Sequence, residues 1–352
     1  MLIGYISSSA SGRNDLNKIL NEAIYELKIP GAVMVVETPE GMIWNYRAGV
    51  RRFGSPMPMS RNLKFRIGSL TKTFVASLTL MLVQEGRTNL DTEVHKILPQ
   101  VITKDNHVTI RHLLQMRSNL GDFTTDRKFL KLFRERPWMH WEPEKLLKFG
   151  KPGHHGPGKK FKYNNSNYVL LGKIIEKVTG DSFENQVFER ILKPLKLNST
   201  SFPVKSANIP EPYARGYDFN PKTGVIKNLS LMINPSWAWC SGNGISNASD
   251  LLNWIKAYLT GYGISEKLLA EQMTFLPVNY DRISYGLGVM NRYSAVGHNG
   301  NFAGIYSAVA YRYKGYYIVI LTNGQAKGGG NTATAESVFW HVVKNSALFS
   351  NR

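Results

Sequence analysis

The sequence predicts an α+β fold: one antiparallel sheet flanked by helices, with a mainly helical lobe inserted into it. Three observations lead there. Strand patterns occur at both ends of the chain and are sparse between residues 86 and 230. That middle region instead carries apolar residues at helical spacing, punctuated by Gly/Pro-rich loops. And 352 residues exceed what a single core usually holds, so an inserted lobe or a second domain is expected.

Each element follows in order. Leu16, Ile19, Leu20, Ala23, Ile24 and Leu27 recur every three or four residues and give an amphipathic first helix. Ala32 to Glu37 and Met42 to Ala48 read as strands around the turn Pro39-Glu40-Gly41. A glycine then precedes a helix that opens at Ser69 and stops near Gly86. Its run from Phe74 to Val83 is nearly all apolar, which marks a buried helix. Helical patterns cover Thr109 to Met116, Glu144 to Phe149, Tyr168 to Val178 and Phe183 to Ile191, and the loop Gly150 to Gly158 interrupts them. Another helix covers Ala248 to Leu259. Strands return at Tyr285 to Met290, Tyr293 to Gly297, Gly304 to Tyr313 and Tyr316 to Thr322, before a last helix over roughly Thr332 to Ala347. Residues 15–85 and 240–348 are therefore expected to form a discontinuous sheet domain and 86–239 a helical lobe. A cleft between the two is the expected place for a site.

Composition narrows the function classes. The net charge is +19, from 44 Lys and Arg against 25 Asp and Glu, which favours anionic surroundings such as cell-wall polymer or a lipid surface. The densest cluster is Lys145, Lys148, Lys151, Lys159, Lys160 and Lys162. No zinc-finger spacing or aromatic RNA-binding motif accompanies it, so nucleic acid ranks low as a partner. Cys240 is the only cysteine, which forbids an intramolecular disulfide without settling the compartment. The apolar runs are too short to span a membrane, and Met1 to Ile6 lacks the basic start and the length of an export signal. A bacterial envelope location is expected if a signal has been removed, and a cytoplasmic one otherwise.

Ser69 and Lys72 carry the first chemical signal. Three positions apart on a helix, their side chains share one face. A serine hydroxyl is a weak nucleophile until a base takes its proton, and a lysine amine serves once burial lowers its pKa. The alternative is that Ser69 caps an ordinary helix. Tyr163 and Asn165 form the only Y-x-N in the chain, just before an apolar helix. A tyrosine held near cations can lose or share its proton near neutrality, because opposite charge favours the phenolate, and can then shuttle a proton; Asn165 can hold Lys72 and a substrate amide; a polar loop with a helix cap is the alternative. Gly297 to Gly304 is glycine-rich and lies between strands, so a ligand can approach its backbone. There the Asn301 N–H, with that of Ser69, can hold an oxyanion, and His298 can face Tyr163 as a proton donor. A hairpin turn with a surface histidine is the alternative. His154-His155-Gly156 and Lys222-Thr223-Gly224 repeat parts of such motifs but sit in turn contexts. H-E-x-x-H, P-loop, G-x-G-x-x-G and G-x-S-x-G signatures are absent.

Ser69-x-x-Lys72, Tyr163-x-Asn165 and His298-x-Gly300, in that order, resemble the serine β-lactamase and penicillin-binding superfamily. Y-x-N points to its class C-like branch, which includes D-alanyl-D-alanine carboxypeptidases of the Streptomyces type and family VIII esterases. The similarity covers roughly residues 15 to 348. Leu113 to Asp122, Gly244 to Leu251 and Tyr285 to Gly288 also look like that branch. The resemblance implies a β-lactamase/transpeptidase-like fold and an acyl-enzyme on Ser69. It also implies proton transfer by Lys72 and Tyr163, substrate orientation by Asn165, and no metal or organic cofactor. H-x-G in place of Lys-Thr-Gly leans toward the carboxypeptidases, with a small peptide or β-lactam as substrate; an esterase or β-lactamase is the alternative, and intact Ser69, Lys72 and Tyr163 argue against a third, a non-catalytic penicillin-recognising or wall-binding module. The resemblance also gives His298, Asn299 and Gly300 to substrate binding, with Asn299 standing where Thr is usual in H-T-G. Trp237 matches a pocket tryptophan, with Trp239 close by, and Arg292 is the candidate for binding a substrate carboxylate.

Overall fold

A computed structural model describes residues 15–103, 106–219, 224–278, 282–328 and 331–350. The amino-terminal Met1 to Ile6, and Lys222 and Thr223 of the rejected Lys-Thr-Gly, lie outside these described residues.

One eight-stranded antiparallel sheet organises the chain. Its strands are β1 (Gly31–Glu37), β2 (Ile43–Gly49), β3 (Leu276–Pro277), β4 (Ile283–Tyr285), β5 (Met290–Arg292), β6 (Ala295–Phe302), β7 (Tyr306–Tyr313) and β8 (Tyr316–Thr322). They lie in the order β2-β1-β8-β7-β6-β5-β4-β3. The two ends of the chain meet where β1 pairs β8, with Ala32 opposite Thr322 and Glu37 opposite Tyr317. The helices used below are α1 (15–26), α2 (Thr71–Gln84), α3 (Arg127–Glu135), α4 (Asn165–Thr179), α5 (Ala248–Leu259) and α6 (Ala335–Asn345).

Side chains alternate across a strand, so each strand serves both faces of the sheet. Ala32, Met34 and Val36 of β1 join Leu16, Leu20 and Ala23 of α1 and Val338, Phe339 and Val342 of α6 in one apolar cluster. Val33 and Val35 join the other cluster, with Ala308 and Ala310 of β7, Val319 and Leu321 of β8, and the buried residues of α2 and α5. That second cluster continues into α4 through Val169, Leu170, Leu171, Ile174 and Ile175. Burying each such side chain stabilises the fold by roughly 1.5–3 kcal/mol. Within α2, Phe74 stacks on Trp254 of α5 at 4.1 Å, and Trp254 Nε1 donates to Thr73 Oγ1 at 2.8 Å. The helix that bears the Ser-Lys pair is thereby fixed on both its apolar and its polar sides.

Two strand expectations change. Tyr285 to Met290 is not one strand but the end of β4, a turn and the start of β5. The turn is forced at Gly288, where φ is +79° and an added side chain would collide with Ala76. The glycine-rich stretch after Gly297 is strand rather than hairpin turn, because β6 runs to Phe302. Its pairing with β7, His298 opposite Ala310 and Gly300 opposite Ala308, supplies what the low strand propensity of glycine hid.

Candidate active site

The turn before α2 is built by close approach of two backbones. Gly68 has φ +52°, in the left-handed region, and a side chain there would collide with the backbone of Asn301 on β6. A side chain on Gly300 would in turn collide with Ile67 O and come within 3.0 Å of Leu70 N. Two glycines thus let β6 lie directly on the Gly68–Leu70 turn, placing Ser69 beside the Asn301 backbone. The helix-cap alternative for Ser69 fails: Leu70 occupies the cap of α2, and no side chain caps it.

Lys72 is fully buried. Its Nζ lies 2.9 Å from Ser69 Oγ, 2.9 Å from Asn165 Oδ1 and 2.6 Å from the Ser241 carbonyl oxygen. Burial pushes its pKa down to about 7, with the Asp122 carboxylate opposing the fall. A neutral amine has two N–H groups and one lone pair. Two carbonyl oxygens take the N–H groups, so the lone pair is left facing the Ser69 hydroxyl. This is the geometry a general base requires.

Tyr163 lines the same cavity as Ser69, and Lys72 Nζ sits 5.1 Å from its ring centroid. The expectation of a phenol that ionises near neutrality is corrected. Burial is the largest influence and raises the Tyr163 pKa above its ordinary value. The phenol therefore stays protonated, as a donor, while Lys72 takes the part of base. Asn165 opens α4 and bonds Lys72 through its carbonyl oxygen, while its Nδ2 donates to Thr124 Oγ1 at 3.0 Å.

The third motif divides between the two faces of β6. His298 is fully buried, which removes the surface-histidine alternative. Its Nε2 lies 3.0 Å from Tyr285 Oη and its Nδ1 2.5 Å from the Asn299 carbonyl oxygen. With a carbonyl at Nδ1, the proton resides there and Nε2 accepts from the tyrosine. Its ring is 6.3 Å from that of Tyr163, and both nitrogens are committed elsewhere, so His298 does not donate to Tyr163. Burial lowers its pKa to about 3, which keeps it neutral. Asn299 points away from Ser69: its Nδ2 donates to Glu336 Oε2 on α6 at 2.9 Å. Arg292 is bound to the same oxygen at 3.2 Å, and Tyr311 Oη donates to the other at 2.8 Å. The candidate carboxylate-binding arginine is thus held by a carboxylate of the protein itself, outside the pocket lining.

Ser69, Tyr163, Asn165, Trp237 and Asn301 line one cavity of about 340 Å³. Phe129, Leu130 and Phe133 of α3, with Ala238 and Ala303, add apolar wall, and no charged residue is among the described residues that line it. Trp237 packs on Phe133 at 4.9 Å and Phe302 at 5.7 Å. Trp239 bonds Glu184 through Nε1 and lies outside the lining, which separates the two neighbouring tryptophans. Sequence reasoning missed Thr124, the Ser241 carbonyl, Tyr285 and Glu336. Thr124 stands two residues beyond the Leu113 to Asp122 stretch and was within reach; a backbone carbonyl leaves no sequence signal.

The Beta-lactamase family model matches residues 16–339. The chain is 27% identical over 321 residues to Protein flp of Staphylococcus aureus (strain N315), covering 88% of this chain and 63% of that protein. It is 27% identical over 311 residues to Penicillin-binding protein 4* of Bacillus subtilis (strain 168), covering 80% of this chain and 65% of that protein. The chain thus spans less than two thirds of the length of these curated relatives. Among solved structures it is similar to the D-stereospecific amidohydrolase from Streptomyces sp., with a TM-score of 0.81 and 29% identity over 95% of this chain and 99% of that one.

Proposed function

This chain belongs to the beta-lactamase family, a serine hydrolase superfamily with a β-lactamase-like α+β fold, and from that premise we propose that it hydrolyses amides and peptides of D-amino acids through an acyl-enzyme on Ser69. The observation that carries the reading is the orientation of Lys72, whose two carbonyl partners leave its lone pair facing Ser69 Oγ at 2.9 Å. Lys72 takes the hydroxyl proton as Oγ attacks the substrate carbonyl. The N–H groups of Ser69 and Asn301 hold the oxyanion. As the tetrahedral intermediate collapses, Tyr163 passes its proton to the leaving amine and regains one from protonated Lys72. Water then attacks the ester carbonyl and gives its proton to Lys72; as the acid departs, protonated Lys72 returns that proton to Ser69 Oγ, restoring the hydroxyl and the neutral amine.

The substrate class follows from the walls. Phe129, Leu130, Phe133 and Trp237 suit an apolar side chain, and among the described residues no cation lines the cavity for a free substrate carboxylate. Similarity to a D-stereospecific amidohydrolase supports the same choice. A D-alanyl-D-alanine carboxypeptidase is the second reading. It is favoured by His298-x-Gly300 on β6 and by similarity to Penicillin-binding protein 4*. Esterase and β-lactamase activity remain alternatives on the same scaffold.

A substrate panel decides. Turnover of D- and L-phenylalanine amide, an acetylated D-alanyl-D-alanine peptide, a p-nitrophenyl ester and nitrocefin is measured for wild type and Ser69→Ala. The expectation is fastest turnover of the D-amide, and a loss of more than about a thousandfold in Ser69→Ala. Equal turnover by the variant removes Ser69 as nucleophile. Faster release of D-alanine from the peptide replaces the first reading with the second, and preference for the L-amide ends both.

A further inference from the structure

We propose that α3 and the segments packed beside it form a docking face for an anionic lipid bilayer. The charge distribution is the first ground. Residues 127–162 hold eleven Lys and Arg against three Glu, so this short segment carries eight of the nineteen excess positive charges. All eleven are exposed. Among the described residues, Lys131 is the one of them with an ion pair, a 4.0 Å contact to Glu135.

The second ground is that eight of these charges, those from Arg127 to Lys151, share one body. Phe129 of α3 packs on Trp141 at 5.0 Å and on Phe149 at 5.7 Å. The Gly150 N–H donates to Asp126 Oδ2 at the start of α3, at 3.0 Å. The helix and the Lys145-to-Lys151 segment are therefore one packed unit. Within α3 the residues divide by face. Phe129, Leu130 and Phe133 line the cavity, and Arg127, Lys128, Lys131 and Arg134 are exposed. A helix with one basic and one apolar face is a membrane-surface pattern; here the apolar face is already used by the cavity.

The third ground selects a bilayer over a soluble polyanion. Just past α3, Trp138 is 63% exposed. Met232 and Leu231 are also exposed, and their segment is tied to the same turn by Asn234 N–H donating to the Pro137 carbonyl at 2.9 Å. An exposed tryptophan two residues beyond the exposed Arg136 and four beyond the exposed Arg134 suits the headgroup level of a membrane, where the ring meets the acyl boundary and the cations meet anionic lipid. A soluble polyanion uses the cations and leaves Trp138 without a role. Docked this way, the cavity wall and the membrane contact are two sides of one short helix.

The test is co-sedimentation with vesicles of phosphatidylglycerol and phosphatidylcholine against phosphatidylcholine alone, at physiological salt. The triple variant Lys128→Glu/Lys131→Glu/Arg134→Glu and the variant Trp138→Ala are compared with wild type. Binding to the anionic vesicles alone is expected, falling by more than about tenfold in the triple variant and severalfold in Trp138→Ala. Both variants keep turnover of a soluble substrate, which reports intact folding. Ser69→Ala binds vesicles like the wild type, so this inference and the hydrolase reading fail separately. Equal binding to both vesicle types overturns the proposal. So does vesicle binding indifferent to Trp138→Ala and fully competed by polyphosphate, which makes the face a polyanion site instead.

Discussion

Thr124 Oγ1 accepts a hydrogen bond from Asn165 Nδ2 at 3.0 Å, and this contact decides which end of the Asn165 amide faces Lys72. With the N–H held by Thr124, the carbonyl oxygen is the end left for Lys72 Nζ at 2.9 Å. Thr124 is itself anchored, its hydroxyl donating to Asp122 Oδ1 at 2.9 Å. Thr124→Val removes the acceptor and frees the amide to rotate. We expect kcat/KM to fall by about 10–100-fold, with Thr124→Ser recovering most of it. Steady-state kinetics of both variants check this, and wild-type activity in Thr124→Val removes the orienting role.

Activity should rise with pH through Lys72. The amine must be neutral to accept the Ser69 proton, and its pKa is pushed down to about 7. The pH profile of kcat/KM for an uncharged substrate is expected to climb with a midpoint near 7 and then level. A midpoint above 9 would show a lysine that stays charged, and would transfer the role of base to another group.

Tyr163→Phe separates proton delivery from proton removal. Burial keeps the phenol protonated, so it acts as a donor throughout the working range. The variant is expected to lose about 10²–10⁴ in rate while keeping the limb near pH 7. Loss of that limb along with the rate would assign the titration to Tyr163.

Lys72 should also weaken the fold that holds it. Its folded pKa, about 7, lies below its ordinary 10.5, so between those values the unfolded chain binds more protons. Stability therefore rises with pH across that window, and the deficit is full below about pH 7. Lys72→Met, inactive by design, is expected to be more stable than wild type by about 1–4 kcal/mol at pH 7. The gap should narrow toward pH 10. Thermal melts across pH test both sign and window, and a variant less stable at pH 7 contradicts them.

Trp237 and Arg292 should behave differently on substitution. Trp237 lines the cavity, whereas Arg292 is paired with Glu336 outside it. Trp237→Ala is expected to raise KM for aromatic D-amides by about tenfold and to flatten side-chain preference. Arg292→Ala is expected to leave that preference unchanged and lower the melting temperature. A selective loss of carboxylate-bearing substrates in Arg292→Ala would return it to the site.

The sequence was most legible where a periodic pattern or a short motif sits on one element. Ser69 sits in the turn that leads into the buried helix whose first turn holds Lys72, and Tyr163 and Asn165 flank the start of another. The order of the three motifs carried the fold as well, because β1 and β8 pair across nearly the whole chain. Legibility ended where tertiary packing overrode local preference. Gly297 to Gly300 reads as turn because glycine rarely favours strands, yet strand β6 runs through it, held by β7 and by the fit of Gly300 against Ile67. Asn299 and Arg292 were assigned to substrate because the sequence does not show Glu336 waiting on α6. The ionisation of Tyr163 was misjudged because nearness to a cation is visible in a motif, whereas burial is not.

The opposed glycines, Gly68 and Gly300, leave the nucleophile turn and the β6 backbone without room for a single methyl group. That half of the site cannot be adjusted by mutation: side-chain change there costs geometry before it can alter preference. The opposite wall is made of side chains from α3 and the loop bearing Trp237, none of which belongs to the central sheet. A directed-evolution campaign should therefore find its productive changes at Phe129, Leu130, Phe133 and Trp237. New selectivity would be acquired by refashioning one wall while the reacting atoms stay where the glycines hold them.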